Sequence, residues 1–349
     1  MRKGILSIIS LVLVFAMCFT LSACGGSGSG DTNTDSDEVY ELKIAHVVAE
    51  TDDVHLGFVQ LKDMLEERSD GRIKVTIYSN ASLASTDDEL AELVNSDTVQ
   101  IACIALYNMA NVNEALLKYG VLDLPFMFES DEEYYKFIDS DYGKAMLDEM
   151  LEVTGNVWEY SGYIRSWQAL STTNTPAYTP ADIKGKTIIC GSPQVFRDTV
   201  SSWGANVGTV PWSETYTAME QGSIDGNLRA VNLSITQRFF EVQKYMTLVN
   251  TSAMVNGTLV SRSWYENLPE DLQKVFIECM DEYIQIMRDY GVTRQEETIK
   301  QLEENGVEVI QLTDEQKAAW VEPTSVVYDK MEDIIGADVI AKAREILGK

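Results

Sequence analysis

The chain has 349 residues, of which 45% are hydrophobic and 23% charged; 27 Lys and Arg stand against 55 Asp and Glu, for a formal charge of −28. That apolar content excludes a wholly disordered chain, and the length exceeds what one core usually organises, so two domains are expected. The charge excludes a phosphate-backbone partner: an anionic surface repels DNA, RNA and anionic lipid, and no Lys/Arg cluster offsets it.

Residues 1–23 read as a secretory signal rather than as part of the fold. Arg2 and Lys3 precede an apolar run, Ile5 to Leu21, broken only by Ser7, Ser10 and Thr20. Leu21-Ser22-Ala23-Cys24 resembles a bacterial lipobox, in which the cysteine thiol takes a diacylglycerol. An uncleaved membrane anchor is the alternative, and a run of roughly 17 residues is at the low end for a spanning helix. Residues 24–38 are Gly/Ser-rich and then acidic, with almost nothing to bury, and read as a flexible tether. These features place the protein on the outer face of a bacterial cytoplasmic membrane, held by lipid at Cys24, and a tether of this kind suggests a Gram-positive host. Cys103, Cys190 and Cys279 lie among apolar neighbours with no CxxC spacing. They read as small buried hydrophobes, with one disulfide left open.

Tyr40 to Val48 has strand composition. Val54 to Arg68 carries apolar residues at helical spacing, Ile73 to Tyr78 alternates like a half-buried strand, and Thr86 caps a helix through Val94. Val99 to Ala105 is the continuous apolar run of a strand covered on both faces. This β-α-β-α-β order predicts an α/β sheet with helices on its faces. Leu122 to Phe128 reads as an apolar loop, Glu132 to Leu151 as a helix and Gly155 to Tyr163 as an aromatic-rich strand. Ser171 to Pro180 is polar enough to be a connection between lobes. Beyond it come a strand at Lys186 to Cys190, a helix at Val195 to Trp203, and another at Ser213 to Gln221 with Ser213 as N-cap. A strand follows Glu241 to Leu248. Pro269 to Asn305 predicts one long helix ending at Gly306, a length suited to spanning two lobes.

The search for chemistry selects little. His46 and His55 are the two histidines, nine residues apart with no Cys or His companion, so a metal site is not expected. No G-x-S-x-G, Walker loop or H-E-x-x-H occurs. Asp87-Asp88-Glu89 and Asp131-Glu132-Glu133 read most simply as first-turn charges favoured by the helix dipole. Nothing points to an enzyme or to a cofactor.

Pro211 to Gly226, PWSETYTAMEQGSIDG, carries a different signal. It resembles the P-x-S-E-x-Y-x-A-x-x-x-G-x-x-D-G signature of the DctP family, the substrate-binding proteins of TRAP transporters. Further stretches match in order: residues 42–46 (LKIAH), 124–128 (LPFMF), 182–185 (DIKG), 240–245 (FEVQKY) and 264–273 (WYENLPEDLQ). The resemblance implies a two-lobed periplasmic-binding-protein-like α/β fold with hinge strands and a long lobe-spanning helix. It puts lobe I at residues 39–165 plus about 255–294, and lobe II at 166–254 plus about 295–349. It implies capture by closure: a small-molecule ligand stabilises the closed state by its differential affinity for that state. TRAP membrane subunits would then receive the ligand unreacted.

Departures from the family pattern bear on the ligand. The arginine that relatives carry just after D-[LM]-K-G falls at Ile189, and isoleucine cannot form a bidentate ion pair. A second family arginine falls near Gln168, or near Ala169 if a gap is allowed. After Asp225-Gly226 this chain has Asn227-Leu228-Arg229. The expectation is a relocated cation, with Arg229 as anchor and Gln168 as a neutral hydrogen bonder. The alternative is an Arg229 that faces solvent or pairs with an acid. Arg165 is a second candidate near the cleft-forming strand. Trp212 falls where relatives place an aromatic pocket wall, with core packing as its alternative; Trp167 and Tyr107 follow on the same argument. Ser85 and residues 104–107 match pocket-lining stretches that are less polar here than in relatives, which disfavours a multi-hydroxylated dianion. The function implied is solute reception for a TRAP-type importer, with a small organic acid or related polar metabolite as ligand. A surface lipoprotein using the bilobal scaffold for adhesion or signalling is the competing reading.

Overall fold

The computed structural model describes residues 38–211 and 214–349. Ten strands follow in chain order: β1 Tyr40–Ala45, β2 Ile73–Tyr78, β3 Ile101–Ala105, β4 Val157–Thr172, β5 Thr187–Ile189, β6 Asn206–Val207, β7 Gly226–Ala230, β8 Tyr245–Thr247, β9 Ala253–Ser261 and β10 Glu308–Ile310. They pair in the order β2-β1-β3-β9-β4-β7-β5-β6, with β8 joining β4 to β10. The first three strands run parallel, while β9 is antiparallel to β3 and to β4.

β4 belongs to both halves of this sheet. From Val157 to Trp167 it pairs with β9; from Gln168 to Thr172 it pairs with β7. Two register shifts, between Glu159 and Ser161 and between Ile164 and Ser166, bend it on the way. The result is two lobes hinged on a shared strand. The sequence reading ended this strand at Tyr163 and took Ser171 to Pro180 for the connection. In the structure Ser166, Gln168, Ser171 and Thr172 continue the strand and are buried. Their polarity is absorbed by ladder and side-chain hydrogen bonds, such as Gln168 Nε2 donating to Ser252 Oγ at 3.2 Å, so polar composition did not mean exposure.

The helices form where capping residues and apolar spacing agree. Asp52 caps Asp53–Arg68 by accepting from the Val54 amide at 2.9 Å, and Thr86 caps Asp87–Asn95. The single helix expected over residues 132–151 is two, Asp131–Ile138 and Asp141–Thr154. Ser140 starts the second by accepting from the Gly143 amide at 3.1 Å. The long helix is continuous for 35 residues, Glu270–Glu304. Its first half packs Phe276, Met280 and Tyr283 against Phe58 and Tyr163 in the first lobe. Its second half brings Leu302 to Ala169, Val231 and Met246 in the second. At the crossing, Gly291 lies so close to β4 that an added Cβ would sit 2.1 Å from the Ile164 carbonyl oxygen. Gln295 Oε1 accepts from the Trp167 amide at 2.8 Å. The last two helices, Ser325–Ile335 and Ala337–Leu347, put Met331, Ile335 and Ile340 into the core that holds Leu90, Tyr119 and Phe137.

Cys103, Cys190 and Cys279 are all free thiols, so the disulfide left open by the sequence is not formed. Cys103 and Cys279 are buried and Cys190 is half-buried; burial pushes each thiol up to about 11.

Candidate functional site

The C-terminal ends of β1 and β3, the middle of β4 and the start of β9 converge on a chamber of about 590 Å³ between the lobes. Its walls include His46, Asp52, Asp87, Tyr107, Arg165 and Asn256 on the first-lobe strands and loops. Asn232, Leu233 and Thr236 close it from the second lobe. An α/β sheet commonly binds ligands at the carboxyl ends of its strands, where the chain leaves the sheet and backbone groups are free.

Arg165 is held in this wall by Asp52. Its Nη2 donates to Asp52 Oδ2 at 2.7 Å and to Oδ1 at 2.9 Å. Burial disfavours the guanidinium charge, but Asp52, together with Tyr163 and Cys103, outweighs it, so Arg165 stays firmly protonated. Asp87 opens its helix and faces the chamber. Its Oδ2 accepts from Asn108 Nδ2 at 2.8 Å and from the Ala105 amide at 3.1 Å, while burial raises its pKa. His46 and His55 lie nine residues apart in sequence yet bring Nε2 and Nδ1 to 3.1 Å. Burial, then the His55 neighbour, lowers His46 to about 4, so it is neutral near pH 7. No cluster of three or more His, Cys, Asp or Glu able to hold a metal occurs among the described residues.

Three buried polar atoms in the chamber wall have no hydrogen-bond partner among the described residues, His46 Nδ1 and the amide oxygens Asn232 Oδ1 and Asn256 Oδ1. Asn256 is fixed in place, since its Nδ2 donates to Cys103 Sγ at 3.1 Å. A buried orphan acceptor costs roughly 1–3 kcal/mol of desolvation, which a bound donor recovers. The arrangement combines one neutralised cation, two carboxylates and two unsatisfied amides around a space of metabolite size.

The residues singled out from sequence separate into groups. Arg165 and Tyr107 line the chamber. Arg229 stands on β7 opposite Ala169, with Nη1 3.6 Å from where a Gly191 Cβ would be. It is half-buried, and burial lowers its pKa against the opposing pull of Cys190 and Tyr107. Phe196 links this group to the chamber: the Tyr107 ring meets it edge-on at 6.3 Å, and it packs against Gly191. Gln168 is buried and engaged with Ser252. Trp167 is buried in the first-lobe core, its Nε1 donating to Asp131 Oδ1 at 2.6 Å. Ile189 is enclosed with Met219, Ile224 and Phe239. Ser85 is exposed and bonded to Glu89 at 2.9 Å. Gln168, Trp167, Ile189 and Ser85 are not in the chamber wall. Trp212 and Cys24 lie outside the described residues.

Sequence reasoning missed Asp52, Asn232 and Asn256, and passed over His46 and Asp87 as ordinary. Asp52 had a detectable signal, a cap position just before a helix. The two asparagines had none, because their place in the wall is set by pairing between distant strands.

Two lobes sharing hinge strands, with polar groups closing on a chamber between them, define a ligand-capturing binding protein. The chain belongs to the bacterial extracellular solute-binding protein family 7, DctP, whose pattern matches residues 44–333. It is 30% identical over 317 residues to the C4-dicarboxylate-binding periplasmic protein DctP of Vibrio cholerae, covering 89% of this chain and 92% of that protein. The corresponding protein of Rhodobacter capsulatus is 26% identical over 306 residues, covering 87% of this chain and 90% of the other. Among solved structures, a TRAP periplasmic solute-binding protein from Ochrobactrum anthropi superposes with a TM-score of 0.83 at 22% identity, covering 89% and 95% of the two chains. One from Sulfurospirillum deleyianum with bound succinate gives 0.75 at 25% identity, covering 88% and 99%. No helix among the described residues is long and apolar enough to cross a membrane.

Proposed function

We propose that this chain is the extracytoplasmic solute receptor of a TRAP-type secondary importer. It captures a small organic acid or related polar metabolite between its lobes and delivers it to membrane subunits. The observation that carries this reading is the inter-lobe chamber with Arg165 in its wall and two orphaned amide oxygens beside it. Organic acids named for the relatives, C4-dicarboxylates and succinate, support the ligand class. The match to a binding-protein family over most of the chain favours reception over an adhesive or signalling surface protein.

Arg165 is assigned to the ligand's carboxylate, and Arg229, beside Tyr107 and Phe196, to a second anionic or polar end. Trp212 is assigned to an aromatic wall. Gln168 acts through the hinge, by its bond to Ser252, rather than by touching ligand. The protein performs no chemistry on its cargo. Residues 1–23 direct secretion, and Cys24 carries the lipid that holds the receptor at the outer face of the cytoplasmic membrane.

The test is a melting scan of the purified protein against a panel of organic acids. A ligand at a hundred times its dissociation constant adds about 2.7 kcal/mol. A shift confined to one or a few related acids supports the receptor; a flat panel, with no metabolite retained on purification, removes it.

A further inference from the structure

A second chamber, of about 330 Å³, lies beside the first, and Tyr107 lines both. One side is the chain from Leu106 to Asp123, another is Ser192 to Val195 at the start of the helix Gln194–Ser202, and the third is Met331 to Ile335. Most of its surface is aliphatic: Leu106, Met109, Leu116, Met331 and Ile335. Asp123 lines it and is 7% exposed. No hydrogen-bond donor or cation pairs with its carboxyl among the described residues. An unpaired carboxyl in such a setting is expensive to ionise, and proteins seldom keep one without a partner.

We propose that this chamber is a second ligand site, for a small molecule with an ammonium group and an apolar body, in which the Asp123 carboxylate is the counter-ion. A full negative charge outweighs the half-charge of the opposing helix N-terminus, which has no side-chain cap and alone would favour an anion. Tyr107 and Tyr119 are in the walls, and aromatic rings attract cations. Ile334, 43% exposed, stands at the edge, where a molecule enters past it.

The proton accounting gives a signature. Burial alone pushes Asp123 up to about 8. The other titratable groups lining the chamber are Tyr107 and Tyr119, both raised by burial and neutral near pH 7. Met331, Ile334 and Ile335 on one side and Ser192 to Val195 on the other bring no charge. At pH 7 the free carboxyl is protonated, so binding an ammonium ion releases that proton to solvent. Affinity then rises about tenfold per pH unit between 6 and 7.

Benzylamine is the probe, with benzyl alcohol and benzoate as its neutral and anionic counterparts. Isothermal titration of the whole protein in two buffers of different ionisation heat reads both affinity and proton release. The expected result is saturable one-to-one binding of benzylamine with proton release at pH 7, and none for the other two. Asp123→Asn should weaken it at least tenfold and abolish the release. Ile334→Lys, at an exposed position, should block it by placing a tethered ammonium at the entrance, which covers the case of an Asp123 variant that fails to fold. Absent benzylamine binding, equal binding by both variants, or preference for benzoate would overturn the proposal. Neither variant touches the Arg165 wall, so organic-acid binding is read separately.

Discussion

Replacing Asp52 with asparagine should tighten anion capture while loosening the fold. Arg165 spends its charge on Asp52, at 2.7 and 2.9 Å, in a wall where its side chain is 11% exposed. A ligand carboxylate on the same guanidinium would lie within about 5 Å of the Asp52 carboxylate. At an effective dielectric near 20, that repulsion is about 3 kcal/mol. Asparagine removes the charge and keeps the cap on Val54, since it caps as well as aspartate. Relief of the repulsion, discounted for water in the chamber, gives roughly ten- to a hundredfold tighter binding. The fold pays by leaving Arg165 without its anion. Breaking a buried pair costs about 3–5 kcal/mol, and the lower end applies because the chamber admits water. Arg165→Met reverses the first effect and weakens binding by roughly a hundredfold or more, the loss of a charge-assisted contact. The assay is titration calorimetry with the organic acid that the purified protein retains, paired with urea unfolding of each variant. If Asp52→Asn weakens binding as much as Arg165→Met, the pair acts as one structural unit and the reasoning fails.

His46, lowered from 6.5 to about 4, is neutral in the folded protein while the unfolded chain takes up a proton below pH 6.5. Stability therefore falls as pH drops through that window, by about 3 kcal/mol in total, and urea midpoints of His46→Gln should lose this part of the slope between pH 6.5 and 4. Gly291→Ala forces a methyl to 2.1 Å from the Ile164 carbonyl at the helix–hinge crossing. It should cost about 1–3 kcal/mol or more by denaturant unfolding, whereas an unchanged midpoint would mean that the helix does not bear on the hinge. Cys24→Ser should move the protein from the membrane fraction to the medium in a cell-fractionation blot; retention at the membrane would leave residues 1–23 as an uncleaved anchor.

Much of the first lobe was readable because its signals are local. The cap at Thr86, the alternation at Ile73 to Tyr78 and the apolar run before Ala105 each depend on a few neighbouring residues. The 35-residue helix was readable for the same reason. The hinge was not. Ser171 and Thr172 look like loop chemistry until β7 supplies ladder partners from more than fifty residues away. The site follows this division. Tyr107 was reached through its family-like stretch and Arg165 through its place beside the cleft-forming strand, while Asn256 enters the wall because β9 aligns it with Ala105 and Tyr163. Ile189, where the family resemblance implies an arginine, is buried with Met219 and Ile224 and takes a place in the second lobe's apolar core. The last two helices return to the first lobe's core, a placement that no local pattern announces.

Native mass spectrometry of the purified protein shows whether cargo is held between the lobes. One small organic acid per chain should appear, released with its mass unchanged and lost from Arg165→Met. A protein that holds no such molecule and takes up none from a broad panel of acids, or that returns a chemically altered one, is not a solute receptor.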